Sequence, residues 1–386
     1  IVFGDWSSDV CSSDLMSGAQ VSELARDLTV AKLLGTISGD LVDEALAATG
    51  RQSARRRKLP ANLVVYLAVM LAVFSHVSIM EVLRLLLAPL QRHFGYGSVA
   101  MPGGTAVTFA RRRLGAEPLA WLFDRLARPL AAPGAGHGFF RGLRLVAVDG
   151  SSVELQATEE NDRRFGRPRK KLNESGYPLL KFVALLECAT RMPLGLAWGS
   201  CDEFEPSLGH ELLGRLGADT MLLADRAYFG FDRWREAAAR CGALLWRIQR
   251  GIRLEPLSEL PDGSFLAIVR PSGGQRRQAG DADARILVRV IDCNPVMADG
   301  SEGDLVRLFT TILDPAEASA EELAGVYPQR WGVETGFDEI KTHLRGPQRV
   351  LRSQCPDLVV QELYGFFLAY MVVRKTIAEE IGRAHV

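Results

Sequence analysis

The sequence predicts an α/β fold in which a mixed sheet flanked by helices follows an all-helical N-terminal domain. Two observations favour this prediction. Apolar residues recur at helical spacing from about residue 21 to residue 129, and short apolar runs alternate with helical patterns after residue 138. Between the two parts, residues 131–138 are rich in Ala, Pro and Gly, which is typical of a linker. With 386 residues, 47% of them hydrophobic, the chain can bury the cores of two or three domains.

The predicted helical domain covers residues 16–138 and contains an uncharged stretch at residues 59–80. Only residues 63–74 of that stretch are strongly apolar, and polar residues such as Asn62 and His76 flank them. A membrane span needs about 20 consecutive apolar residues. The pattern therefore favours a buried helix over a span.

Two basic segments of the helical domain are candidates for DNA contact. Residues 78–87 and 105–114, joined by a turn that contains Gly and Pro, could form a helix-turn-helix-like unit whose arginines project outward, namely Arg111, Arg112 and Arg113. The same pattern fits a solvated basic helix end. A second segment holds five cations within eight residues, which are better candidates for phosphate contact although such runs also form linkers: Arg51, Arg55, Arg56, Arg57 and Lys58.

Charge is distributed unevenly along the chain. Lysine and arginine together number 46, as do aspartate and glutamate, so net charge neither indicates nor excludes a nucleic-acid partner. Residues 16–148 nevertheless carry 16 basic against 8 acidic side chains. A basic front and an acidic remainder fit DNA binding followed by metal chemistry. The six cysteines form no CxxC pair, which argues against a zinc site and a disulfide framework and favours a reducing cytoplasm.

Residues 139–250 are expected to form the first part of the α/β domain. Helical spacing appears twice, and strands are predicted by five apolar runs, at residues 143–148, 179–186, 194–198, 221–223 and 243–248. Asp149 follows the first of these runs and Asp225 follows the fourth. The sequence therefore places carboxylates at the ends of two strands.

The rest of the α/β domain is expected in two further parts. Residues 251–312 are rich in β-branched and arginine residues, which predicts a β-rich insertion. Residues 313–379 then complete the domain, with helical patterning from 318 to 344 and a last apolar helix at 358–377 that packs on the sheet.

The most informative stretch runs from Tyr327 through Arg330 and Glu334 to Lys341. At 100° per residue, Arg330, Glu334 and Lys341 fall within a sector of about 60° of one helix. Pro328 suits a first helical turn and leaves the position of Tyr327 looser. In phosphoryl transfer a carboxylate can hold a metal ion while cations and a phenol hold phosphates. Spacing alone favours the plainer alternative, an exposed helix face with ordinary ion pairs.

The pattern Tyr, two residues, Arg, three residues, Glu, six residues, Lys resembles the signature of the DDE transposases of the insertion-sequence-four family, and RWGVETGFDEIKTHLRG continues the likeness. In that family the first catalytic aspartate lies in a strand-ending Asp-Gly-Ser and the second in an Asp-Arg-Ala-Tyr-like turn. Here those positions are Asp149 in VAVDGSSVEL and Asp225 in LLADRAYFG. The likeness covers roughly residues 50–375 and implies a ribonuclease-H-like fold interrupted by the β-rich insertion.

The resemblance implies that Asp149, Asp225 and Glu334 are catalytic and hold two Mg²⁺ ions, for which Mn²⁺ can substitute. It implies nicking at each transposon end, hairpin formation by the freed 3′-hydroxyl, hairpin opening and strand transfer into target DNA. The implied partners are double-stranded DNA, as terminal inverted repeats and target, and a second copy of the chain on the paired ends.

The same resemblance implies that Tyr327, Arg330 and Lys341 hold the phosphates beside the cut, with Arg226 assisting them. Trp246 or Trp331 could stack on a flipped base, although a buried core position is the more common one for tryptophan.

Two other functions stay open from the sequence. A truncated, catalytically inactive transposase would only bind DNA ends, and a ribonuclease-H-like nuclease would cut DNA without joining it. Residues 1–15 and 380–386 resemble translated sequencing adapters, so we expect both segments to be non-native and the intact protein to continue beyond residue 379. Its expected location is the bacterial cytoplasm, associated with the nucleoid.

Overall fold

The structure is a computed structural model that describes residues 2–5, 30–53, 59–94, 101–133, 138–168, 176–271, 284–296, 303–344 and 350–384. The cations Arg55, Arg56, Arg57 and Lys58 lie outside these ranges, as does the turn at residues 95–100. The predictions made for them are therefore not tested by the structure.

A short strand, β1 (Val2–Asp5), comes first. The helical region that the sequence predicted follows it. Its helices are α1 (Val30–Thr36), α2 (Gly39–Ala48), α3 (Ala61–Val73), α4 (Ile79–Phe94), α5 (Gly104–Leu114) and α6 (Glu117–Leu126). In α3 every side chain from Leu63 to Val73 is buried by the surrounding chain. The prediction of a buried helix for this apolar stretch is confirmed.

The elements that follow build an α/β structure. They are β2 (Phe139–Phe140), β3 (Leu143–Leu155), α7 (Glu159–Phe165), β4 (Leu179–Glu187), β5 (Pro193–Ser200), α8 (Glu205–Glu211), β6 (Thr220–Ala224), α9 (Phe231–Arg240), β7 (Ala243–Ile248), β8 (Glu255–Glu259), β9 (Phe265–Val269), β10 (Ile286–Val296), β11 (Val306–Thr310), α10 (Ala320–Val326), α11 (Trp331–Asp338), β12 (Val350–Leu351) and α12 (Pro356–Ala384).

The core of the sheet has the strand order β5-β4-β3-β6-β7. β4 pairs antiparallel with both β3 and β5, whereas β6 and β7 continue parallel to β3. Side chains on the two faces of β3 meet different helices: Val148 lies near Gly209 of α8, and Asp149 contacts Arg330, which precedes α11. Since successive side chains of a strand point to opposite faces, helices cover both sides of the sheet. This is the ribonuclease-H-like arrangement that the resemblance implied.

The predicted insertion continues the core sheet. β11 pairs antiparallel with β7, with Phe309 opposite Trp246, and β10, β9 and β8 follow in order. Arg289 is fully buried and pairs with Asp262, which also accepts a hydrogen bond of 2.7 Å from the backbone nitrogen of Ala320. The insertion is thereby joined to α10, the helix that leads into Tyr327.

The last helix, α12, packs against α3 and α6 and also reaches the sheet, where the rings of Phe367 and Phe182 lie 5.6 Å apart. Residues 356–380 are long and apolar enough to cross a membrane, with a mean hydropathy of 1.2, but 83% of the apolar window is buried within the structure. The helix therefore serves as a core element that joins the helical region to the sheet, and the prediction that it packs on the sheet is confirmed.

Strand β3 is longer than expected. The sequence predicted an end at residue 148, yet β3 continues through Asp149 to Leu155. The reason is that β4 pairs with β3 as far as Glu154, so the backbone still has a hydrogen-bonding neighbour after β6 ends at Ala224. Asp149 thus lies where one neighbouring strand stops.

The prediction that Arg111 projects outward is wrong. Arg111 is 5% exposed, and its Nε donates a 2.9 Å hydrogen bond to Oε1 of Gln361 on α12. Gln361 in turn donates from Nε2 to the carbonyl oxygens of Arg111 and Gly115, at 3.0 and 2.7 Å. Arg112 and Arg113 are exposed, as predicted.

Candidate active site

Asp149 lies on β3 beside the carboxyl end of β6, which Asp225 directly follows. The parallel register pairs Val148 with Ala224, so the two aspartates occupy the next position on each chain and share one face. Oδ1 of Asp149 accepts a 2.8 Å hydrogen bond from the backbone nitrogen of Gly150. Oδ1 of Asp225 is buried and accepts no hydrogen bond from the described part of the chain. Such a buried carboxylate oxygen is ready to bind a cation.

Glu334 reaches the same place through Arg330. The guanidinium of Arg330 donates from Nη1 to Oδ2 of Asp149 at 3.0 Å and from Nη2 to Oε1 of Glu334 at 2.7 Å. The Arg330 side chain is 6% exposed, whereas that of Glu334 is 55% exposed. One buried cation thus bridges a carboxylate of the sheet and a carboxylate of α11.

Arg330, Glu334 and Lys341 share one face, as predicted, although they do not lie on one regular helix. The chain passes from α10 through a 3₁₀ turn at Tyr327–Arg330 to α11 and then to a π-helical turn at Glu339–Leu344. Nζ of Lys341 donates a 2.7 Å hydrogen bond to Oγ of Ser151, two residues beyond Asp149. All three side chains therefore meet the Asp149 face of β3.

The buried position of Tyr327 does not favour the phosphate contact that was expected of this residue. The residue is 2% exposed, and its hydroxyl donates a 3.3 Å hydrogen bond to the carbonyl of Ala224, directly before Asp225. Burial raises the pKa of the phenol. Its ring centre lies 5.9 Å from the guanidinium carbon of Arg330. These contacts make Tyr327 a support for Arg330 and for the end of β6.

The site carries negative charge and is partly shielded from solvent. Burial raises the pKa of Asp149 to about 6, against the opposing effects of the Gly150 amide and the Arg330 guanidinium. The neighbouring carboxylates of Glu334 and Glu205 contribute to the same increase.

We expect Asp149→Asn to stabilise the protein at pH 8 but not near pH 3.5. A carboxyl whose pKa is raised by folding stabilises the folded state below its unfolded value of 3.8, and this stability is lost as the pH rises through about 6. Above pH 6 the free energy of unfolding of the variant should exceed that of the wild type by at most about 3 kcal/mol, since one pKa unit is about 1.4 kcal/mol. Urea unfolding with chelator at both pH values measures it. An equal difference at the two pH values would contradict the assignment.

Glu205 belongs to this site although the sequence analysis did not select it. A Cβ built on Gly150 would lie 2.2 Å from Cδ of Glu205, so the Glu205 carboxyl group occupies the space beside Gly150. The hydroxyl of Tyr228 donates a 3.0 Å hydrogen bond to Oε1 of Glu205. A glutamate in the first turn of a predicted helix is commonplace, so nothing in the sequence distinguishes it.

Four other residues complete the survey of the site. Trp246 is 2% exposed and packs edge-on against Trp234, with ring centres 5.2 Å apart, so it occupies the buried core position that the sequence favoured over base stacking. Trp331 is half-buried at the start of α11. Arg226 is exposed in the turn after Asp225. Glu339 is 2% exposed and pairs with two buried arginines, which removes it from the site.

The three carboxylates suit a hard divalent cation by chemistry. Carboxylate oxygens are the ligands that Mg²⁺ and Mn²⁺ prefer, and Asp225 offers one that no other described group uses. Within the described residues, however, no three Asp, Glu, His or Cys side chains approach closely enough to hold a metal ion together. Arg330 donates hydrogen bonds to two of the three carboxylates, Asp149 and Glu334.

Comparison with known families identifies the family of the chain. A family model described as the transposase DDE domain matches residues 141–372, and one described as the N-terminal region of insertion element 4 transposases matches residues 27–124. The chain belongs to the insertion-sequence-four family of DDE transposases. Its two matched regions correspond to the α/β structure and to the helical region in front of it.

Individual relatives of this transposase are distant. It is 27% identical to the transposase InsG for insertion sequence element IS4 of Escherichia coli over 344 residues, which cover 87% of this chain and 74% of the relative. It is 26% identical to the putative transposase InsZ of the same organism, over 50% of this chain and 62% of the relative. A solved synaptic complex of piggyBac transposase with hairpin DNA aligns with 98% of this chain and 78% of that chain, at 11% identity and a TM-score of 0.45.

Proposed function

We propose that this transposase catalyses metal-dependent cut-and-paste transposition of an insertion sequence, with Asp149, Asp225 and Glu334 as its catalytic triad. One observation carries the proposal. Two aspartates follow paired positions of neighbouring parallel strands, and a buried arginine connects Asp149 to Glu334. An ordinary exposed ion pair would not bury its arginine between a sheet and a helix.

Asp149, Asp225 and Glu334 would hold two Mg²⁺ ions, with Mn²⁺ as a substitute. When bound, such cations activate the attacking water or 3′-hydroxyl and stabilise the leaving oxygen. Arg330 now donates to oxygens that this role requires. A DNA phosphate offers its guanidinium an equivalent two-point acceptor. We therefore assign Arg330 to exchange its carboxylate partners for a phosphate when DNA enters.

Lys341 and Arg226 are the other phosphate-binding candidates of the site. Lys341 lies against Ser151 beside the aspartates, and Arg226 is exposed immediately after Asp225. Tyr327 contributes indirectly, by supporting Arg330. Double-stranded DNA is the substrate in this proposal, and two copies of the chain act on paired transposon ends.

The decisive experiment uses a labelled duplex that carries the terminal repeat of the element encoding this chain. With Mg²⁺ or Mn²⁺, we expect nicking at the repeat end, a hairpin that is resolved on a denaturing gel, and joining to a second duplex. Chelation should abolish all three. Cutting without joining would indicate a ribonuclease-H-like nuclease, and binding without cutting would indicate a protein that only binds ends.

Replacing either Lys341 or Arg226 by Ala should weaken DNA binding and make it less dependent on salt. Each phosphate contact that is lost should reduce the slope of log K against log salt concentration by about 1. Fluorescence anisotropy between low and moderate salt measures this slope. Arg240→Ala is the matched control, since Arg240 lies at the end of α9 that is far from Arg226 and pairs with Glu236. A slope that is unchanged in both variants would remove these residues from the DNA interface.

A further inference from the structure

Gly150 makes room for a carboxyl group from the opposite side of the sheet. A Cβ at this position would lie 2.2 Å from Cδ and 2.5 Å from Oε1 of Glu205. Because neighbouring side chains of a strand point to opposite faces, Glu205 approaches from the α8 face, whereas Asp149 points to the α11 face. The Asp-Gly pair therefore presents one carboxylate on one face and accepts another on the reverse.

Tyr228 connects this carboxyl group to the second aspartate. Its backbone nitrogen donates a 3.0 Å hydrogen bond to the carbonyl of Asp225, which closes the turn. Its hydroxyl donates to Glu205 at 3.0 Å, and its ring is 3% exposed. The ring is also tightly seated, since a Cβ at Gly209 would lie 2.7 Å from Cε1 of Tyr228. The turn that begins at Asp225 is thus anchored at its far end to Glu205.

We infer that Glu205 is a positioning residue for the catalytic aspartates: seated over Gly150 and bonded to Tyr228, it fixes the Asp225 turn against β3 from the reverse face of the sheet. The catalytic meaning of this role rests on the proposed function. The mechanical role does not, because it follows from contacts within the chain. Glu205 itself does not touch the reacting atoms.

The hydrogen bond, and not the charge, is the essential property in this inference. Glu205→Gln keeps an acceptor for the Tyr228 hydroxyl, whereas Glu205→Ala and Tyr228→Phe remove the bond. We expect the amide of Tyr228 to exchange with deuterium about tenfold faster in the last two variants, and at nearly the wild-type rate in Glu205→Gln. Mn²⁺ affinity, measured by electron paramagnetic resonance, should fall by about tenfold in the same two variants.

Gly150→Ala tests the same contact without altering Glu205, because the added methyl group displaces the carboxyl group. We expect it to match Glu205→Ala in both measurements. The chain offers a matched control: a Cβ at Gly199 would lie 2.4 Å from Cδ of Glu203, in the loop that follows β5. Gly199→Ala and Glu203→Gln should leave the exchange rate and the Mn²⁺ affinity unchanged.

Two results would overturn the inference. One is wild-type exchange of the Tyr228 amide in both Glu205→Ala and Tyr228→Phe. The other is a Glu205→Gln variant as impaired as Glu205→Ala, which would assign the effect to charge. If Glu205→Ala fails to fold, Tyr228→Phe still tests the inference, because this substitution removes only one oxygen atom. Mn²⁺ binding that is absent from the wild type, or unchanged in Glu334→Gln, would count against the proposed function. The inference about Glu205 would then be decided by the exchange rate of the Tyr228 amide alone.

Discussion

Glu334→Gln is expected to reduce DNA cleavage and strand joining by at least about 1,000-fold, the range in which loss of a catalytic group usually falls. The amide is neutral and a poorer ligand for a hard cation. Folding should be unaffected, since the Glu334 side chain is 55% exposed and forms an ion pair with Arg330 at the surface of α11. The labelled-duplex assay measures the loss, and thermal unfolding verifies the fold.

Asp338→Asn is the control for this prediction, because Asp338 is an exposed carboxylate one turn further along the same helix. It should cut and join DNA at nearly the wild-type rate. A Glu334→Gln protein that keeps a tenth of the wild-type activity would remove Glu334 from the triad. Equal losses in both variants would point to helix charge in general and not to a specific ligand.

The second large effect concerns stability. Glu339→Ala should lower the free energy of unfolding by about 3–5 kcal/mol, the usual cost of removing one partner from a buried ion pair. Glu339 is 2% exposed and pairs with Arg191 and Arg374, while Tyr370 donates a 2.6 Å hydrogen bond to its Oε2. Removing the carboxylate would leave two buried guanidinium groups without their counter-charge.

Urea unfolding of Glu339→Ala and of Asp338→Ala measures this difference. The exposed neighbour should lose less than about 1 kcal/mol. A loss below about 1 kcal/mol in Glu339→Ala would show that the arginines find other partners. Together the two predictions separate glutamates five residues apart: Glu334 for chemistry and Glu339 for the fold.

Local patterns predicted much of the fold. The strand predicted at residues 243–248 agrees with β7 to the residue, because it is a short apolar run that turn residues enclose. The shared face of Arg330, Glu334 and Lys341 was also predictable, since it depends only on spacing along one segment. The helix type was not, because Pro328 introduces a 3₁₀ turn.

The errors arose where distant parts of the chain meet. Arg111 is buried because Gln361, 250 residues away, accepts its hydrogen bond. Tyr327 is buried because its hydroxyl reaches the carbonyl of Ala224, 103 residues away. Glu205 occupies the space beside Gly150 because glycine has no side chain there, and only folding brings these two residues together. Single-sequence periodicity carries no information about such partners.

The packing of α12 on the helical region also determines when the fold can be completed during synthesis. At roughly 5–20 residues per second, the ribosome needs on the order of 10–50 s to progress from Arg111 to its partner Gln361. During that interval α3 lacks α12, one of the helices that cover its apolar surface. Exposed apolar surface promotes aggregation of incomplete chains. Until residues 356–384 have been synthesised, the helical region and the sheet therefore lack the helix that joins them.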